Sequence, residues 1–273
     1  MTELIFIHGL NTYGDHDIHI GPLKFGPMHI RLERAFSDRG IRFRSISGSM
    51  FAHPFEQAEQ IVQQVQSLPI TTRFHVLGQS TGGLVARAVA QHPKLHDRVA
   101  SVLTMGTPHR GAPAAEFGLA FNENHPLLKR VLATCGYDTA RKLTIFQAYT
   151  PKAVDEFCQE LSARAKTPAS QLQASFICQV EGAQTSWPLL MLESLLNSEN
   201  QMGDGLISSD SQRFGLVQGP FALDHFGELG FFPHFSRSAR VNAALEFNRM
   251  IDAIVSTVYN EGRLNHAKID VIC

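Results

Sequence analysis

Runs of apolar residues alternate along the chain with segments in which apolar residues recur every three or four positions. The continuous or alternating runs predict strands at 3–9, 41–47, 73–79, 99–108 and 174–180. The helical spacing predicts helices at 28–40, 54–69, 81–92, 151–165 and 239–258. Strands that alternate with helices favour an α/β fold, in which a mainly parallel sheet carries helices on both faces.

Composition and charge exclude several classes of protein. The chain has 273 residues, of which 44% are hydrophobic, and a net charge of −1, so neither nucleic acid nor an anionic membrane is predicted as an electrostatic partner. No apolar run approaches the roughly 18 residues of a spanning helix. The four cysteines are scattered, which favours a reducing compartment. No signal-peptide pattern is visible, so we expect a cytoplasmic protein, with a trimmed exported protein as the alternative.

A glycine-rich corner follows the strand predicted at 73–79. Residues 78–82 read Gly-Gln-Ser-Thr-Gly, so Ser80 stands in a G-x-S-x-G pattern between a strand and a helix. Functional groups collect at the carboxyl ends of strands in such sheets, and the glycines remove β-carbons that would clash in a sharp turn. The pattern therefore predicts Ser80 as an exposed nucleophile; the alternative is a tight turn whose serine only caps the helix.

A serine hydroxyl is a poor nucleophile unless a base removes its proton, so a carboxylate and then a histidine are expected later in the chain. Of the thirteen histidines, His225 lies in a loop-like segment before the final helix, and His234 is its rival. Asp204 lies between two glycines, where its carboxylate can orient an imidazole. Asp210 and Asp224 are the alternative acids.

Two backbone N–H groups are expected to bind the oxyanion that forms during acyl transfer. One belongs to Thr81, which follows the candidate nucleophile, and the other to Leu10, in the loop after the first strand. Gly9 permits the unusual backbone path that would turn the Leu10 N–H inward. His8 and His109 lie beside the same strand ends, and we expect structural roles for both.

Several segments together resemble the bacterial true lipases, which are triacylglycerol hydrolases of the α/β-hydrolase fold. The segments are FIHGLN, HVLGQSTGGLVARAVA, LTMGTPHRGAPAAEF, and the pair GDGLISSDSQRFG and LDHFGELG. The resemblance runs from residue 3 to about 120 and again from about 174 to 230. It implies Ser80 as nucleophile, Asp204 as acid and His225 as base, with Leu10 and Thr81 as oxyanion donors.

The chain departs from this family at three points. Gly203 replaces the asparagine of the family's N-D-G, and no cysteine matches the family's disulfide. Gly227 stands where the family has a calcium-binding aspartate, although Glu228 is adjacent. We therefore expect no cofactor and no calcium, and substrates that need not be long-chain triglycerides.

The regular alternation breaks between residues 112 and 150, where the resemblance implies a helical lid. This insertion contains an apolar stripe at helical spacing, formed by Leu127, Leu128, Val131 and Leu132. A helix packed permanently on the core explains such a stripe, and so does a lid that lines a cleft for acyl chains. We predict one α/β-hydrolase domain over 1–273, with 112–150 as a lid or cap.

Residues 13–21 bring two aspartates and two histidines close together in the sequence. Their spacing matches no standard pattern of metal ligands, so we expect this segment to shape the mouth of the pocket.

These features predict a serine carboxylic-ester hydrolase, a lipase or esterase, that works through an acyl-enzyme intermediate. The expected partner is an acyl-ester or lipid substrate, with transient contact between the lid and a lipid interface. One alternative is a thioesterase or phospholipase that uses the same three residues. Another is a non-catalytic binding module with a hydrolase-like fold.

Overall fold

The computed structural model of the chain describes residues 2–9, 18–20, 23–25, 29–49, 52–69, 73–112, 115, 147–165, 171–187, 189–190 and 203–264. The prediction for Leu10 falls outside these residues, as do most of the segment 13–21 and most of the insertion 112–150. None of the helices in the described part of the chain is long and apolar enough to cross a membrane.

A six-stranded parallel sheet forms the centre of the molecule, in the order β4-β1-β5-β6-β7-β8. Its strands are β1 (Glu3–Ile7), β4 (Arg42–Ile46), β5 (Phe74–Gln79), β6 (Val99–Met105), β7 (Leu172–Cys178) and β8 (Leu216–Phe221). A separate antiparallel pair consists of β2 (Ile18–Ile20) and β3 (Leu23–Phe25). The predicted mainly parallel sheet is confirmed.

Six helices are described, together with two 3₁₀ turns at Gly182–Gln184 and Gly227–Leu229. The helices are α1 (His29–Ser37), α2 (Pro54–Ser67), α3 (Gly82–Gln91), α4 (Pro151–Arg164), α5 (Arg237–Tyr259) and α6 (Glu261–Leu264). Helix α5 begins two residues before its predicted start because the Ser236 hydroxyl caps it, accepting the Ala239 N–H at 3.4 Å.

The core lies on both sides of the sheet, as the buried strand β1 illustrates. Leu4 and Phe6 of β1 pack on one side with α1 and α5, whereas Ile5 and Ile7 pack on the other with α2, α3 and α4. Successive side chains of a strand point to opposite faces, so a strand that is apolar throughout requires helices on both. The predicted helices on both faces are thereby confirmed.

Strand β8 is absent from the predicted elements. It contains Gly219 and Pro220, which weaken the sequence signal for a strand, and it lies at the edge of the sheet, where proline is tolerated. Parallel pairing with β7 nevertheless holds it in place. Strand β8 leads into the loop 222–230, which carries His225 to the carboxyl end of the sheet.

Candidate active site

Ser80 occupies a strained corner between β5 and α3. Its backbone has φ of +54°, and it is the only described residue other than glycine with positive φ. Such a conformation costs about 1–3 kcal/mol, and persists where the surrounding structure enforces it. Here the Ser80 N–H donates to the carbonyl of Met105 in β6 at 3.0 Å, which ties the corner to the next strand.

Close backbone approaches explain the glycines around this corner. A β-carbon on Gly82 would lie 2.4 Å from the carbonyl oxygen of Ile7. A β-carbon on Gly9 would lie 2.6 Å from the β-carbon of Ser80. The loop after β1 therefore runs directly against Ser80, and the next residue in that loop is Leu10, the predicted second oxyanion donor. Thr81, the predicted first donor, follows Ser80 at the start of α3.

Asp204 and His225 form a hydrogen-bonded pair, although 21 positions separate them in the sequence. His225 Nδ1 lies 2.8 Å from Asp204 Oδ2, and the His225 backbone N–H donates to the Asp204 carbonyl, also at 2.8 Å. An ionised carboxylate can only accept, so the proton of a neutral His225 lies on Nδ1. Its Nε2 then carries the lone pair that a general base needs.

The loop around Asp204 fixes the direction of its carboxylate. Oδ1 accepts the backbone N–H groups of Leu206 at 2.8 Å and Ile207 at 2.7 Å, which leaves Oδ2 for the imidazole. Gly205 has φ of +92°, so the tight turn that brings these N–H groups back to Asp204 favours glycine at this position. The Asp204 side chain is fully buried, and its charge is held by donors on both oxygens.

The surroundings of His225 favour its charged form. Burial alone would lower the pKa of His225, but the Asp204 carboxylate opposes this, followed by Glu228, and the pKa is raised to about 9. A nearby anion stabilises an imidazolium, which is the state that a base reaches when it accepts a proton.

Gln79 connects the corner to this pocket. Its Nε2 lies 3.2 Å from His225 Nε2, and Ser80 is the next residue in the chain. Among the described residues, no hydrogen bond joins the Ser80 hydroxyl to His225. The structure thus brings Asp204 and His225 into direct contact, and it places Ser80 one residue from a contact with the same imidazole. Hydrogen bonds of this kind are often long before substrate binds.

Glu228 lies in the same pocket, and no sequence pattern gave it a role of its own. Its side chain is fully buried, with Oε2 3.0 Å from Gln79 Nε2 and 3.6 Å from His225 Nδ1. Gly106 makes room for it, because a β-carbon there would lie 2.3 Å from both carboxyl oxygens. The sequence signal that could have revealed Glu228 is its position three residues after the candidate histidine, in the 3₁₀ turn Gly227–Leu229.

The alternative acids are engaged elsewhere. The Asp210 side chain is 89% exposed and pairs with Arg213. Asp224 is buried, but its two oxygens accept the backbone N–H groups of Ser186 and Gly227, each at 2.7 Å. These contacts favour Asp204 as the partner of His225.

The other candidate histidines contact the body of the protein. His109 is buried with its Nε2 3.0 Å from the Thr104 hydroxyl, and burial lowers its pKa well below the ordinary value. His8 Nε2 forms a hydrogen bond with the Ser45 hydroxyl. These contacts fit the structural roles expected for both. His234 is also buried, and its backbone carbonyl accepts a hydrogen bond from Arg240.

Asp204, His225 and Glu228 also have the donor types that bind metal ions. In the described part of the chain, they form the one group of three such residues whose ligand atoms all lie within 4.8 Å of one another. An ion bound there would have to displace the hydrogen bond between His225 and Asp204. The occupied lone pairs of Asp204 therefore favour acid–base chemistry over metal binding.

Comparisons with known proteins match the chain to one family model and to several lipases and esterases. The family model for palmitoyl protein thioesterase matches residues 5–160. Two triacylglycerol lipases, from Pseudarthrobacter phenanthrenivorans and Burkholderia plantarii, are each 46% identical to this chain over 63 residues. That stretch is 23% of this chain but only 19% and 17% of the respective lipases. The likeness to these two lipases is therefore local.

Solved structures show the same architecture over nearly the whole chain. A lipase of Bacillus licheniformis in its mature form has a TM-score of 0.59 at 16% identity, covering 94% of this chain and 91% of its own. A metagenomic carboxyl esterase has a TM-score of 0.65 at 17% identity, covering 96% of this chain and 76% of its own. The fold is therefore that of the α/β-hydrolases, and the chain belongs to the palmitoyl protein thioesterase family.

Proposed function

We propose that this protein hydrolyses acyl esters through a covalent acyl-enzyme on Ser80. The observation that carries the proposal is the 2.8 Å contact between His225 Nδ1 and the buried Asp204 carboxylate, beside the strained Ser80 corner. A histidine held in this way presents Nε2 as a base toward the carboxyl end of β5. Geometry of this kind suits nucleophilic attack by a hydroxyl.

The proposed reaction proceeds in two balanced halves. His225 Nε2 takes the proton of Ser80 as the hydroxyl oxygen attacks the acyl carbonyl, and the imidazolium then returns that proton to the leaving alcohol or thiol. Water repeats the sequence: His225 takes a proton from the water, which attacks the acyl-enzyme, and the proton finally restores the Ser80 hydroxyl. Asp204 stays ionised throughout and keeps the proton of neutral His225 on Nδ1.

The oxyanion formed in each half requires donors that are already in place. We assign this role to the backbone N–H groups of Thr81 and Leu10. Thr81 stands at the amino end of α3, whose positive dipole end favours negative charge at this point. The approach of the loop after β1, seen at Gly9, supports the assignment of Leu10.

Two acyl substrates fit this chemistry, and they differ in the leaving group. The lipase relatives favour an oxygen ester with an apolar acyl chain as the main substrate class. The family match favours a thioester as the second candidate, since palmitoyl protein thioesterases are named for that activity. Comparing oxygen and sulfur esters of the same acyl chain by kcat/KM would distinguish the two.

The proposal is tested by replacing the candidate nucleophile. Hydrolysis of a short chromogenic ester by Ser80→Ala should fall by about 10⁴-fold or more, since residues of such a triad act as a unit. Ser101→Ala is the matched control, because Ser101 is a buried serine that contacts His75 at 2.7 Å, outside the pocket. The control should keep its activity within about threefold while its Tm falls. Full activity in Ser80→Ala would overturn the proposal.

A further inference from the structure

The carboxyl group of Glu228 lies in surroundings that are unusual for a charged side chain. It is fully buried, and within the described part of the chain its Oε1 has no geometrically well-formed hydrogen bond. Its Oε2 accepts from Gln79, an amide without charge. An ionised carboxylate in such a place would have lost its hydration without gaining enough hydrogen bonds or opposite charge to compensate for that loss.

The groups around Glu228 do not offset the cost of burying a negative charge on it in addition to the charge on Asp204. The Asp204 carboxyl and the Cys178 thiol of β7 are both close enough to the Glu228 carboxyl to exchange hydrogen bonds with it, and Asp224 precedes Glu228 in its own loop. His225 is the one group of the described residues that can carry a positive charge beside Glu228, and its Nδ1 is closer to Asp204, at 2.8 Å against 3.6 Å. Among the described residues, no lysine or arginine forms an ion pair with Glu228.

Two buried carboxyl groups that share one imidazole cannot both be ionised at low cost. The negative charge is better stabilised on Asp204, because two backbone N–H groups and His225 donate hydrogen bonds to its carboxylate. Burial, above all, raises the pKa of Glu228 well above its ordinary value.

We propose that Glu228 is a neutral carboxylic acid in the working enzyme, and a positioning residue that holds Gln79 against His225. The inference rests on the proposed function, since His225 is the base in that reaction. Glu228 touches neither Ser80 nor, in this account, the substrate. It acts through Gln79, whose amide group carries two hydrogens, one for Glu228 Oε2 and one for His225 Nε2 whenever that imidazole is neutral.

This arrangement has two consequences for the base. The Gln79 amide fixes the plane of the neutral imidazole before substrate binds, and the Ser80 hydroxyl then replaces the amide as the group that donates to Nε2 during the reaction. A neutral Glu228 also leaves Asp204 as the one carboxylate, among the residues that the structure describes, that is paired with His225. A second anion at 3.6 Å would stabilise the imidazolium further and make His225 slower to return its proton.

The protonation state can be measured without any activity assay. Infrared spectra of the folded protein, with glutamate carboxyl groups labelled with ¹³C, should show an isotope-shifted carbonyl band of a protonated acid at pH 7. The band should be missing from Glu228→Gln, or from Glu228→Met if the first variant does not fold. A wild-type spectrum without this band, or a band that survives in the folded variant, would overturn the proposal.

The positioning role is tested by the pH profile of kcat/KM. Glu228→Gln mimics the neutral acid, so its apparent pKa should stay within about 0.3 of the wild-type value, and its kcat should stay within about threefold. Glu228→Met removes the acceptor for Gln79 and should lower kcat by about 10-fold to 100-fold. A fall of about one unit or more in the apparent pKa of Glu228→Gln would mean that a charge had been removed, and would contradict the proposal.

The two proposals fail in different ways. If the wild type does not hydrolyse esters through Ser80, the proposed function is wrong, and the infrared band still reports the state of Glu228. If Ser80-dependent hydrolysis is normal but Glu228→Gln shifts the pH profile, only the inference about Glu228 is wrong.

Discussion

The corner at Ser80 and the pocket around His225 are built in opposite ways. The corner is one continuous stretch, residues 78–82, and backbone sterics shape it: the positive φ of Ser80 and the close approach of Ile7 to Gly82. The pocket draws Gln79, Asp204 and His225 from separate segments of the chain. Hydrogen bonds and buried charge, rather than sterics, decide its geometry.

This difference determines how each region should respond to change. A corner made by close packing should be destabilised when a single atom is added. The free energy of unfolding of the protein should therefore fall. A pocket made by polar contacts should keep its fold but lose its chemistry when one atom changes from acceptor to donor. Stability and activity measurements on matched variants therefore separate the two regions.

The largest expected effect is in the pocket, from Asp204→Asn. The amide oxygen would still accept the N–H groups of Leu206 and Ile207, so the amide nitrogen would face His225 Nδ1 as a donor. The proton of the imidazole would then move to Nε2, and the base would lose its lone pair. We expect kcat to fall by about 10⁴-fold with the fold retained, as measured by ester hydrolysis and circular dichroism.

Asp224→Asn is the matched control for that variant. Asp224 is equally buried and also accepts two backbone N–H groups, but it is not paired with the imidazole. Its replacement should lower the Tm and leave the kcat of the folded protein within about tenfold. Equal losses of kcat in the two variants would mean that the orientation of His225 does not depend on Asp204.

The next effect is in the corner, from Gly82→Ala. The new β-carbon would lie 2.4 Å from the Ile7 carbonyl oxygen and 2.5 Å from that of His8, and neither backbone group can move freely. We expect the free energy of unfolding to fall by about 3 kcal/mol or more, as measured by urea denaturation.

Gly262→Ala serves as the control for this steric effect. A β-carbon at Gly262 would meet no atom within 4 Å, and the residue belongs to helix α6. Alanine should leave stability unchanged or raise it by up to about 1 kcal/mol. A similar destabilisation in both variants would show that the corner is not held by the close approach at Gly82.

The smallest expected effect is the pH dependence of kcat/KM, which comes from His225 in the pocket. Burial lowers the pKa of His225, but the Asp204 carboxylate and then an ionised Glu228 would raise it to about 9. A neutral Glu228 leaves Asp204 as the main cause of the raised pKa, so the base is still protonated over much of the neutral range. We therefore expect kcat/KM to rise by about tenfold per pH unit below that pKa and to level off above it. A rate that is flat from pH 7 to pH 9 would contradict this assignment.

The same pKa has the opposite effect on stability. Because the pKa of His225 is raised above its unfolded value of 6.5, protonation favours the folded protein. That contribution is fully present below pH 6.5 and is lost as the pH rises through 9. Denaturation midpoints should therefore fall over the range in which activity increases, and Asp204→Asn should weaken this trend.

The sequence predicted most of what local rules decide. Apolar periodicity located the buried strand β1 and the amphipathic helix α2, and the glycine pattern located Ser80. The choice of Asp204 and His225 rested on chain order and on resemblance, and the structure places their side chains in contact. The catalytic roles of all three residues remain predictions, as does the division of the chain into one domain with a lid.

The sequence-based predictions missed features that depend on contacts between residues far apart in the chain. Pairing with β7 stabilises strand β8, although Gly219 and Pro220 weaken the strand signal in its sequence. The proposed role of Glu228 depends on its contacts with Gln79 and His225, and the fold brings these residues together. A pattern of single residues cannot report such contacts, because burial and partners decide the state of a carboxyl group.

The most direct test of the central claim is to locate the site of covalent modification. Folded wild-type protein would be treated with a fluorophosphonate, digested and analysed by mass spectrometry, with Ser80→Ala and Asp204→Asn as comparisons. We expect a single modified residue, Ser80, with no labelling in Ser80→Ala and much slower labelling in Asp204→Asn. Modification of a different serine, or an active protein that takes up no label, would contradict it.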